Sequence, residues 1–365
     1  MKQQHHFVRV HPKFKLNGSS HTIETLTQQA HVFINQGEPY EEEVGKFILE
    51  WLNHKQKVRV RTSGSTGDPK VIKIKKIHMA NSAKATGLHF KLPAKTTALL
   101  CLPAKYIAGK MMLVRAMILG WNLDLARPKS NPLDSVYRRY DFCAMTPFQL
   151  DNSLNRLHLL KKLIVGGGTI SASLQARVQD VDTKIYETYG MTETVTHIAA
   201  KRVNSKKKKE LPIPFKTMNK VTIAIDERNC LIIKAPHVSS DPVVTNDIVD
   251  VLTYKKFIWL GRIDNVINSG GVKLYPEQIE QKLNSIIENP FFVAGVPDDV
   301  LGQKLTLFVE DENQCKLTST DYKIAKISSL ERPKQICSIA QFERTPNGKI
   351  QRHQTVRKAF AVAFS

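Results

Sequence analysis

The sequence has few of the residues that cross-link a chain or anchor it in a membrane. Its 365 residues include only five cysteines, none in a C-x-x-C pair, which argues against a disulfide framework or a structural zinc site. The N-terminal segment lacks the apolar core of a signal peptide. The most apolar stretch, residues 96–126, is interrupted by Lys105, Lys110 and Arg115, whereas a transmembrane helix needs about 20 nearly uncharged residues. We therefore expect a cytoplasmic protein with no transmembrane segment.

Acidic residues are scarce relative to basic ones. The 33 Asp and Glu residues against 54 Lys and Arg give a formal net charge of +21, which favours anionic partners: nucleic acid, phosphorylated ligands or an acidic membrane surface. Residues 201–209 hold six basic groups and are predicted to form a solvated loop. A basic nucleic-acid-binding protein is therefore one hypothesis, but no nucleic-acid-binding module is recognisable, and we expect no nucleic-acid partner.

The length predicts two domains, and a hydrophobic fraction of 42% is enough for a sizeable core. From about residue 58 to 200, short apolar runs alternate with helical patterns, as in an α/β layered lobe. The pattern restarts after residues 259–271, with a strand and then a helix over 276–289. We therefore predict a large α/β N-terminal domain, 1–262, and a small α+β C-terminal domain, 265–365.

Apolar spacing predicts several individual elements. A helix is predicted over 38–54, and a second helix is expected to reach Lys162. Strands are predicted on both sides of a turn at 226–229. Residues 58–61 and 71–76 alternate between apolar and basic, as half-buried strands do, and a glycine-rich loop separates them.

The glycine-rich loop is the strongest local signal for chemistry. Its hydroxyls, glycines and lysine are Thr62, Ser63, Gly64, Ser65, Thr66, Gly67 and Lys70. Glycines let the backbone turn tightly and bring amide groups close to a polyphosphate, while hydroxyls add donors and lysine adds charge. The P-loop pattern is absent, because Pro69 stands where it requires glycine. On composition, a phosphate-binding loop and an ordinary surface loop both stay open.

Three further segments place charged residues next to glycine turns. Glu193 follows the turn at Gly190 and could hold Mg²⁺, which prefers oxygen ligands. Arg262 precedes a pair of glycines, and residues 344–352 form a basic turn near the C-terminus. Each has a plain structural alternative: a solvated carboxylate at a strand end, a hairpin turn, and an Asn-Gly turn.

The four segments stand in the order found in the adenylate-forming superfamily of acyl-CoA synthetases and related ligases, which the chain resembles from about residue 58 to its end. Residues 62–70 are similar to that family's phosphate loop, and YGMTE to its adenine and magnesium motif. Residues 245–247 match its ribose-binding segment, 261–280 its hinge region, and PNGK its catalytic-lysine loop. The resemblance implies a small domain that is mobile on a hinge, and it implies ATP, Mg²⁺, coenzyme A and a small carboxylic acid as ligands.

The resemblance implies which residues bind the nucleotide. The loop residues Ser63, Ser65, Thr66 and Lys70 would hold the β- and γ-phosphates. Thr192 would contact the α-phosphate, Glu193 would bind Mg²⁺, and Tyr189 would stack on the adenine. The rest of the adenine pocket would comprise Gly166, Gly167, Gly168, Glu187, Thr188, Gly190 and Met191. Asp247 would accept hydrogen bonds from the ribose hydroxyls, with Arg262 beside it.

The resemblance also implies two reaction steps around a hinge. Lys349 would bridge the substrate carboxylate and the α-phosphate during adenylation. The small domain would then turn about Asp264 for thioester formation. The residues that would replace Lys349 at the site are Ser269, Gly270, Gly271 and Lys273.

Within the superfamily, the chain is most similar to the o-succinylbenzoate–CoA ligases of menaquinone biosynthesis. Residues 102–109 follow their LP-x-x-x-I-x-G pattern, which ends at Gly109, and 163–168 and 186–190 have a similarly compact spacing. The implied activity is activation of o-succinylbenzoate as an acyl-adenylate, transfer to coenzyme A, and release of AMP and pyrophosphate. Another aryl- or fatty-acid CoA ligase on the same fold is the nearer alternative. The oligomeric state stays open, a homodimer included.

o-Succinylbenzoate has two carboxylates, so the one that is not activated needs a partner. Lys105 and Lys110, with Tyr106 nearby, are the predicted partners on charge and position, although either lysine could be a solvated helix residue. Tyr106 stands where related enzymes often carry histidine. His197, which follows the YGMTE motif, is predicted to line the acyl pocket, with a purely structural histidine as the alternative.

Overall fold

The computed structural model describes residues 9–61, 71–205, 212–311, 315–344 and 350–361, with Arg61 and Ala361 described by their backbone alone. The helices are α1 (Ile23–Gln36), α2 (Pro39–Leu52), α3 (Lys76–Phe90), α4 (Ile107–Leu119), α5 (Pro147–Asn152), α6 (Ala172–Arg177), α7 (Pro276–Leu283), α8 (Ser319–Ile324) and α9 (Arg352–Ala361). Short 3₁₀ turns occupy Leu154–Leu159 and Ile263–Asn265.

Most strands belong to one large sheet, a few to a small sheet near the C-terminus, and two form a separate hairpin. The strands before the hinge region are β1 (Lys15–Leu16), β2 (Ser19–Ser20), β3 (Lys57–Arg61), β4 (Val71–Lys75), β5 (Thr97–Leu100), β6 (Asn122–Leu125), β7 (Tyr140–Met145), β8 (Leu160–Val165), β9 (Lys184–Gly190), β10 (His197–Arg202), β11 (Phe215–Thr217), β12 (Thr222–Ile225), β13 (Cys230–Lys234), β14 (Val243–Thr253) and β15 (Lys256–Arg262). The strands after it are β16 (Ile267–Ser269), β17 (Val272–Leu274), β18 (Phe291–Asp298), β19 (Gly302–Glu310) and β20 (Gln335–Ile339).

The large sheet is parallel in one half and antiparallel in the other. Its strand order is β12-β13-β14-β15-β11-β10-β9-β8-β7-β5-β6-β1-β2. The five pairs from β9 to β1 are parallel, whereas the pairs from β9 to β12 and the β1–β2 pair at the other edge are antiparallel. This combination of a mixed sheet, parallel in one half, with packed helices confirms the predicted α/β class.

Hydrophobic cores cover both faces of the parallel half. One core holds α1 to α4 against the sheet and includes Trp51, Met111 and Phe142. The other face buries Leu163 and Ile185. Burial on both faces explains why the parallel strands read as near-continuous apolar runs. In the described part of the chain, no helix is long and apolar enough to cross a membrane.

The antiparallel half of the sheet is strongly curled. Strands β9 and β14 are four positions apart, which would separate them by roughly 19 Å in a flat sheet. The Tyr189 hydroxyl on β9 nevertheless lies 2.6 Å from a carboxylate oxygen of Asp247 on β14. The curl therefore brings two motifs together that are 58 residues apart in the chain.

A second, smaller sheet follows the large one. Its order is β17-β16-β19-β18, with β20 paired to β19, and its core includes Ile279 and Leu307. The chain leaves the large sheet at Arg262 and enters the small one at Ile267. The division into domains 1–262 and 265–365 falls at this change of sheet and stays a prediction.

The predicted helix over 38–54 is confirmed as α2, and the strands beside the 226–229 turn are confirmed as β12 and β13. The helix expected to reach Lys162 is wrong, because that residue lies in β8, where pairing with β7 and β9 overrides the local helical pattern. The predicted 276–289 helix ends at Leu283.

The basic segment 201–209 is a solvated loop only in part. Lys201 and Arg202 form the end of β10 and pair with β9, so the strand takes in the first two of its basic residues. Residues 206–209 lie outside the described residues.

Candidate active site

Three of the predicted site segments lie at one edge of the parallel half of the large sheet. Parallel strands present their carboxyl ends on the same side, which is where α/β sheets bind ligands. The segment 101–106 follows β5, residues 166–168 follow β8, and the turn at 191–195 follows β9. The glycine-rich loop 62–70 connects β3 to β4 but lies outside the described residues, so its residues stay predictions.

The predicted adenine pocket contains glycines that close contacts require. A Cβ at Gly166 would lie 2.7 Å from the Thr188 hydroxyl, which donates a 3.0 Å hydrogen bond to the Val165 carbonyl. Gly167 has a φ of +81°, and Gly168 is exposed at the same edge. These residues form an open surface on which a flat ring can lie.

Glu187 of the predicted pocket faces inward. Its carboxylate is buried and lies 3.1 Å from the Lys201 ammonium. Burial raises the pKa of Glu187, and the charge of Lys201 opposes that rise. The arrangement makes Glu187 an internal partner of Lys201 rather than a group exposed at the site.

Asp247 is the centre of the predicted ribose site. It is buried and accepts hydrogen bonds from the Tyr189 hydroxyl at 2.6 Å and the Trp259 indole at 3.2 Å. The Arg262 guanidinium lies 3.9 Å from the same carboxylate. Because a carboxylate has about four acceptor sites, Asp247 can still accept bonds from ribose hydroxyls.

Tyr189, predicted to stack on adenine, is a half-buried ring. It makes an edge contact with Phe257 at 5.2 Å between centroids, and its hydroxyl is committed to Asp247. Burial, followed by the charge of Asp247, raises the pKa of Tyr189. The tyrosine therefore links the predicted adenine and ribose sites.

A tight turn presents the predicted magnesium ligand. The Thr194 hydroxyl accepts a hydrogen bond from the Met191 amide at 3.1 Å, and a Cβ at Gly190 would lie 2.3 Å from the Thr196 carbonyl. The turn leaves Thr192 half-exposed and Glu193 exposed. Mg²⁺ that arrives with a nucleotide needs only one or two carboxylates beside the phosphates, and Glu193 fits that need. The described residues contain no group of three or more His, Cys, Asp or Glu that could hold a metal ion by itself.

Arg115 is the charged residue that sequence reasoning missed. Its side chain is 2% exposed, and its guanidinium donates a 3.1 Å hydrogen bond to the Thr196 hydroxyl, three residues beyond Glu193. Its Nε is buried without a hydrogen-bond partner, and no carboxylate of the described residues lies within ion-pairing distance. Burial lowers the pKa of Arg115 to about 9, so the group remains charged at neutral pH.

His197 holds Arg115 in place. Its Nδ1 lies 3.5 Å from the Arg115 guanidinium, and its Nε2 lies 3.2 Å from the Thr86 hydroxyl. Because the guanidinium can only donate, Nδ1 accepts and Nε2 carries the proton. Burial, then the charge of Arg115, lowers the pKa of His197 well below its usual value. The neutral ring therefore contacts Arg115, and its place in the acyl pocket stays a prediction.

The two lysines predicted to bind the second carboxylate already have acidic partners on α2. The Lys110 ammonium lies 3.3 Å from Glu50 and over the ring of Phe47, and the exposed Lys105 lies 3.7 Å from Glu43. Their charges are therefore directed toward α2, and the assignment of a second carboxylate to them stays a prediction without support from this geometry.

Tyr106 and Gly109 set the start of α4. Tyr106 is the N-cap residue of this helix. Gly109 is buried, and a Cβ there would lie 2.3 Å from the Pro103 carbonyl. Gly109 is thus explained by this close approach of the backbone.

The predicted hinge region is held by polar contacts. Asp264 accepts a 3.0 Å hydrogen bond from the Asn246 amide and pairs with Arg262. Beyond it, β16 and β17 form a tight hairpin whose turn is Gly270 and Gly271, both with positive φ. Lys273 is exposed on β17 and Ser269 is half-exposed on β16.

The described residues on either side of the predicted catalytic lysine are held close together. Lys349 is outside the described residues, but the flanking Arg344 and Ile350 form a β-bridge, and the Gln351 amide donates to the Glu343 carbonyl at 2.8 Å. Arg344 also pairs with Glu310. These contacts fix both ends of the segment that carries Lys349 to the small sheet.

Known proteins share both the sequence pattern and the fold. The profile of a family described as "AMP-binding enzyme" matches residues 61–229. A 2-succinylbenzoate–CoA ligase of Enterococcus faecalis is 25% identical over 339 residues, which cover 82% of this chain and 70% of that ligase. The o-succinylbenzoate coenzyme A synthetase of Bacillus subtilis, solved with ATP and magnesium, has a TM-score of 0.73 at 20% identity and covers 85% of this chain and 74% of its own.

One solved structure matches over almost its full length. It is an AMP-forming acyl-CoA synthetase/AMP-acid ligase II-like protein of Dyadobacter fermentans, which is 34% identical with a TM-score of 0.60 and covers 91% of this chain and 98% of its own. Together with the profile match, this relationship shows that the chain belongs to the AMP-binding enzymes, the family of AMP-forming acid–CoA ligases.

Proposed function

We propose that the chain activates o-succinylbenzoate with ATP and transfers the acyl group to coenzyme A, as a ligase of menaquinone biosynthesis. The observation that carries this proposal is Arg115, a buried cation without an acidic partner among the described residues, next to the turn that holds Glu193. Relatives named 2-succinylbenzoate–CoA ligase support the choice of acid. A cytoplasmic location and a homodimer stay predictions.

Arg115 would bind the carboxylate that is not activated. A guanidinium buried without a counter-ion is costly, and a substrate carboxylate would offset that cost through charge-assisted hydrogen bonds. Thr196 and His197 hold the guanidinium, so it is oriented before the acid arrives. A monocarboxylic acid would leave the guanidinium unpaired, which disfavours fatty acids.

The reaction would proceed in two displacements. An oxygen of the succinyl carboxylate attacks the α-phosphorus, forms a C–O–P linkage and releases pyrophosphate. The coenzyme A sulfur, having lost its proton, then attacks the acyl carbonyl, forms the thioester and releases AMP. Positioning and charge neutralisation supply most of the rate in such chemistry. Asp247 and Tyr189 would orient the nucleoside, and Glu193 would hold the metal that screens the phosphates.

The test is ATP–pyrophosphate exchange with a matched pair of acids. o-Succinylbenzoate is compared with 3-benzoylpropionate, the same acid without the aromatic carboxylate, for the wild type and for Arg115→Met. We expect the wild type to prefer the dicarboxylate about a hundredfold in kcat/KM, and the variant to lose that preference while keeping its activity on the monocarboxylate.

Lys110→Met is the matched control, because it removes the other buried charge of α4. We expect it to leave the preference intact. If Lys110→Met abolishes the preference instead, the second carboxylate belongs to Lys110 and the proposal for Arg115 is wrong. Efficient exchange with long-chain fatty acids would favour the alternative of a fatty-acid ligase.

A further inference from the structure

A buried charge cluster lies between the hinge and the start of α9. Glu277 and Glu280 stand one turn apart on α7, and Arg352, the first residue of α9, lies between their carboxylates. The guanidinium is 2.8 Å from Glu280 and 3.9 Å from Glu277. The side chains of the two glutamates are only 14% and 10% exposed. The single guanidinium of Arg352 is therefore the counter-charge of two carboxylates that are largely shielded from water.

This cluster is an expensive arrangement if its purpose is stability alone. Burial raises the pKa of Glu280 to about 7, although Arg352 and the Val293 amide both bind its carboxylate. Buried ion pairs often add less stability than apolar residues of similar size, and their best-attested role is to fix one arrangement among several.

On one side, Glu277 contacts the hinge and the large sheet. One carboxylate oxygen accepts a 2.5 Å hydrogen bond from the Asn265 amide, next to the predicted pivot Asp264. The other oxygen packs against Gly261 on β15, where a Cβ would lie 2.5 Å away. Gly261 precedes the pivot and Glu277 follows it. Any rotation about the pivot that separates α7 from β15 must therefore break this contact.

On the other side, Arg352 is tied to the segment of the predicted catalytic lysine. It stands three residues after Lys349, and the adjacent Gln351 and Ile350 are bonded to the opposite side of that segment. Because Arg352 contacts α7, the position of α7 constrains the C-terminal end of the segment that carries Lys349.

We propose that Glu277 is a positioning residue that couples the hinge to the lysine segment, because it contacts Asn265 and Gly261 on one side and faces Arg352 on the other. The inference rests on the proposed function in its assignment of Lys349 to adenylation. In this arrangement, the same contacts stabilise the hinge conformation and the position of the lysine segment. Without the Glu277 carboxylate, the hinge can change conformation independently of the lysine segment. The ratio of the adenylation rate to the thioester-forming rate then changes.

The experiment compares Glu277→Ala and the isosteric Glu277→Gln with the wild type in the full chain. Adenylation is measured by ATP–pyrophosphate exchange, and thioester formation by a single turnover of supplied acyl-adenylate with coenzyme A. We expect the ratio of the two rates to change by about tenfold. Glu331→Gln is the matched control, because it removes another carboxylate that pairs with α7, at Lys282 rather than at Asn265 or Arg352. It should leave the ratio unchanged.

Hydrogen–deuterium exchange provides a readout that does not depend on activity. Amides of residues 263–274 should exchange about tenfold faster in both Glu277 variants, while amides of β7 and β8 keep their wild-type rates. A uniform fall of both half-reactions, or hinge amides with unchanged exchange, would overturn the coupling. A wild-type protein that activates no acid would instead overturn the proposed function. Hydrogen–deuterium exchange would then decide alone whether Glu277 couples the hinge to the lysine segment.

Discussion

Arg115 is the residue on which the proposed acid-binding site depends. Residues 109–118 of α4 are all buried, so both charges of this apolar helix are forced inside. The sequence contains that signal, since Lys110 and Arg115 interrupt an otherwise apolar run. Which charge is neutralised depends on Glu50 of α2, 60 residues away, and only the packing of α2 on α4 decides it.

Lys349 is expected to act in one half-reaction. Lys349→Ala should lower adenylation by about 10²–10³, because it removes a donor aimed at the developing charge. Thioester formation from supplied acyl-adenylate should be largely spared. ATP–pyrophosphate exchange and single-turnover thioester formation measure the two steps separately.

Lys273→Ala is the control for that experiment, since this exposed lysine of β17 belongs to the segment predicted to act in the second step. It should show the reverse pattern, with thioester formation impaired and exchange retained. Equal losses in both half-reactions for Lys349→Ala would contradict the role assigned to Lys349.

His197 predicts a pH dependence of stability. Its folded pKa is lowered, chiefly by burial and then by the charges of Arg115 and His89, whereas the unfolded chain has a pKa of about 6.5. The unfolded state therefore binds a proton that the folded state does not. The stabilisation is fully present above pH 6.5 and is lost as the pH falls toward the folded pKa, with a slope of up to about 1.4 kcal/mol per unit.

His197→Gln removes this titration while keeping groups that can bond to Arg115 and Thr86. Urea unfolding between neutral pH and about pH 5 should show a shallower fall in the free energy of unfolding for the variant than for the wild type. Other histidines with lowered pKa, such as His89 and His237, are present in both proteins and cancel in the comparison. Parallel pH profiles would contradict a neutral His197.

At the scale of elements, the β3–β4 hairpin carries like charges directly opposite each other. Lys57 faces Lys75, and Arg59 faces Lys73, all four on an exposed face. Such pairs destabilise a hairpin, yet they flank the loop 62–70 that is predicted to hold phosphates. We interpret the repulsion as the cost of a positive surface beside that loop.

Lys57→Glu should convert one of these pairs into an attractive one. The free energy of unfolding should rise by about 0.5 kcal/mol at low ionic strength. The gain should vanish near 1 M salt, where the screening length is about 3 Å. Lys55→Glu, an exposed residue outside the hairpin, makes the same charge change without a facing lysine and should show no such gain.

Elements were predictable where a local pattern and tertiary pairing agree. Helix α2 has an apolar face, and β12 and β13 pair on either side of the predicted turn at 226–229. The helix predicted to reach Lys162 is wrong at its end, because Leu160–Lys162 belong to β8, where β7 and β9 offer hydrogen bonds to a strand. The long β14 carries Asp247, and the sequence marked only its short TND segment.

At the scale of the molecule, the order of motifs predicted the family, but not the way that distant segments meet. The contact between Tyr189 and Asp247 arises from the curl of the antiparallel half, which no local pattern encodes. The coupling of Glu277 to Asn265 and Arg352 likewise depends on how α7 packs against β15 and α9. Contacts between side chains that are distant in the sequence are therefore the part of the site that the sequence could not predict.

The net charge of +21 makes the whole molecule an attractor for its proposed substrates, which are all anionic. A positive surface raises the rate of encounter with anions, and salt screens that effect over about 10 Å at 0.1 M. Raising the ionic strength from about 0.01 M to 0.15 M should therefore lower kcat/KM for ATP and for coenzyme A by about tenfold, while kcat changes little.

The double variant Lys57→Glu with Lys73→Glu tests whether the β3–β4 hairpin contributes to this effect. It should weaken the dependence of kcat/KM on ionic strength most for the substrate that enters past the hairpin. The Lys55→Glu variant is its control. Sucrose added at low salt, to the viscosity of the high-salt buffer, shows how much of the fall in kcat/KM comes from slower diffusion rather than from screening. If kcat falls in parallel with kcat/KM, the salt acts on the folded enzyme or on its chemistry. The net positive charge would then not raise the rate of encounter with the substrates.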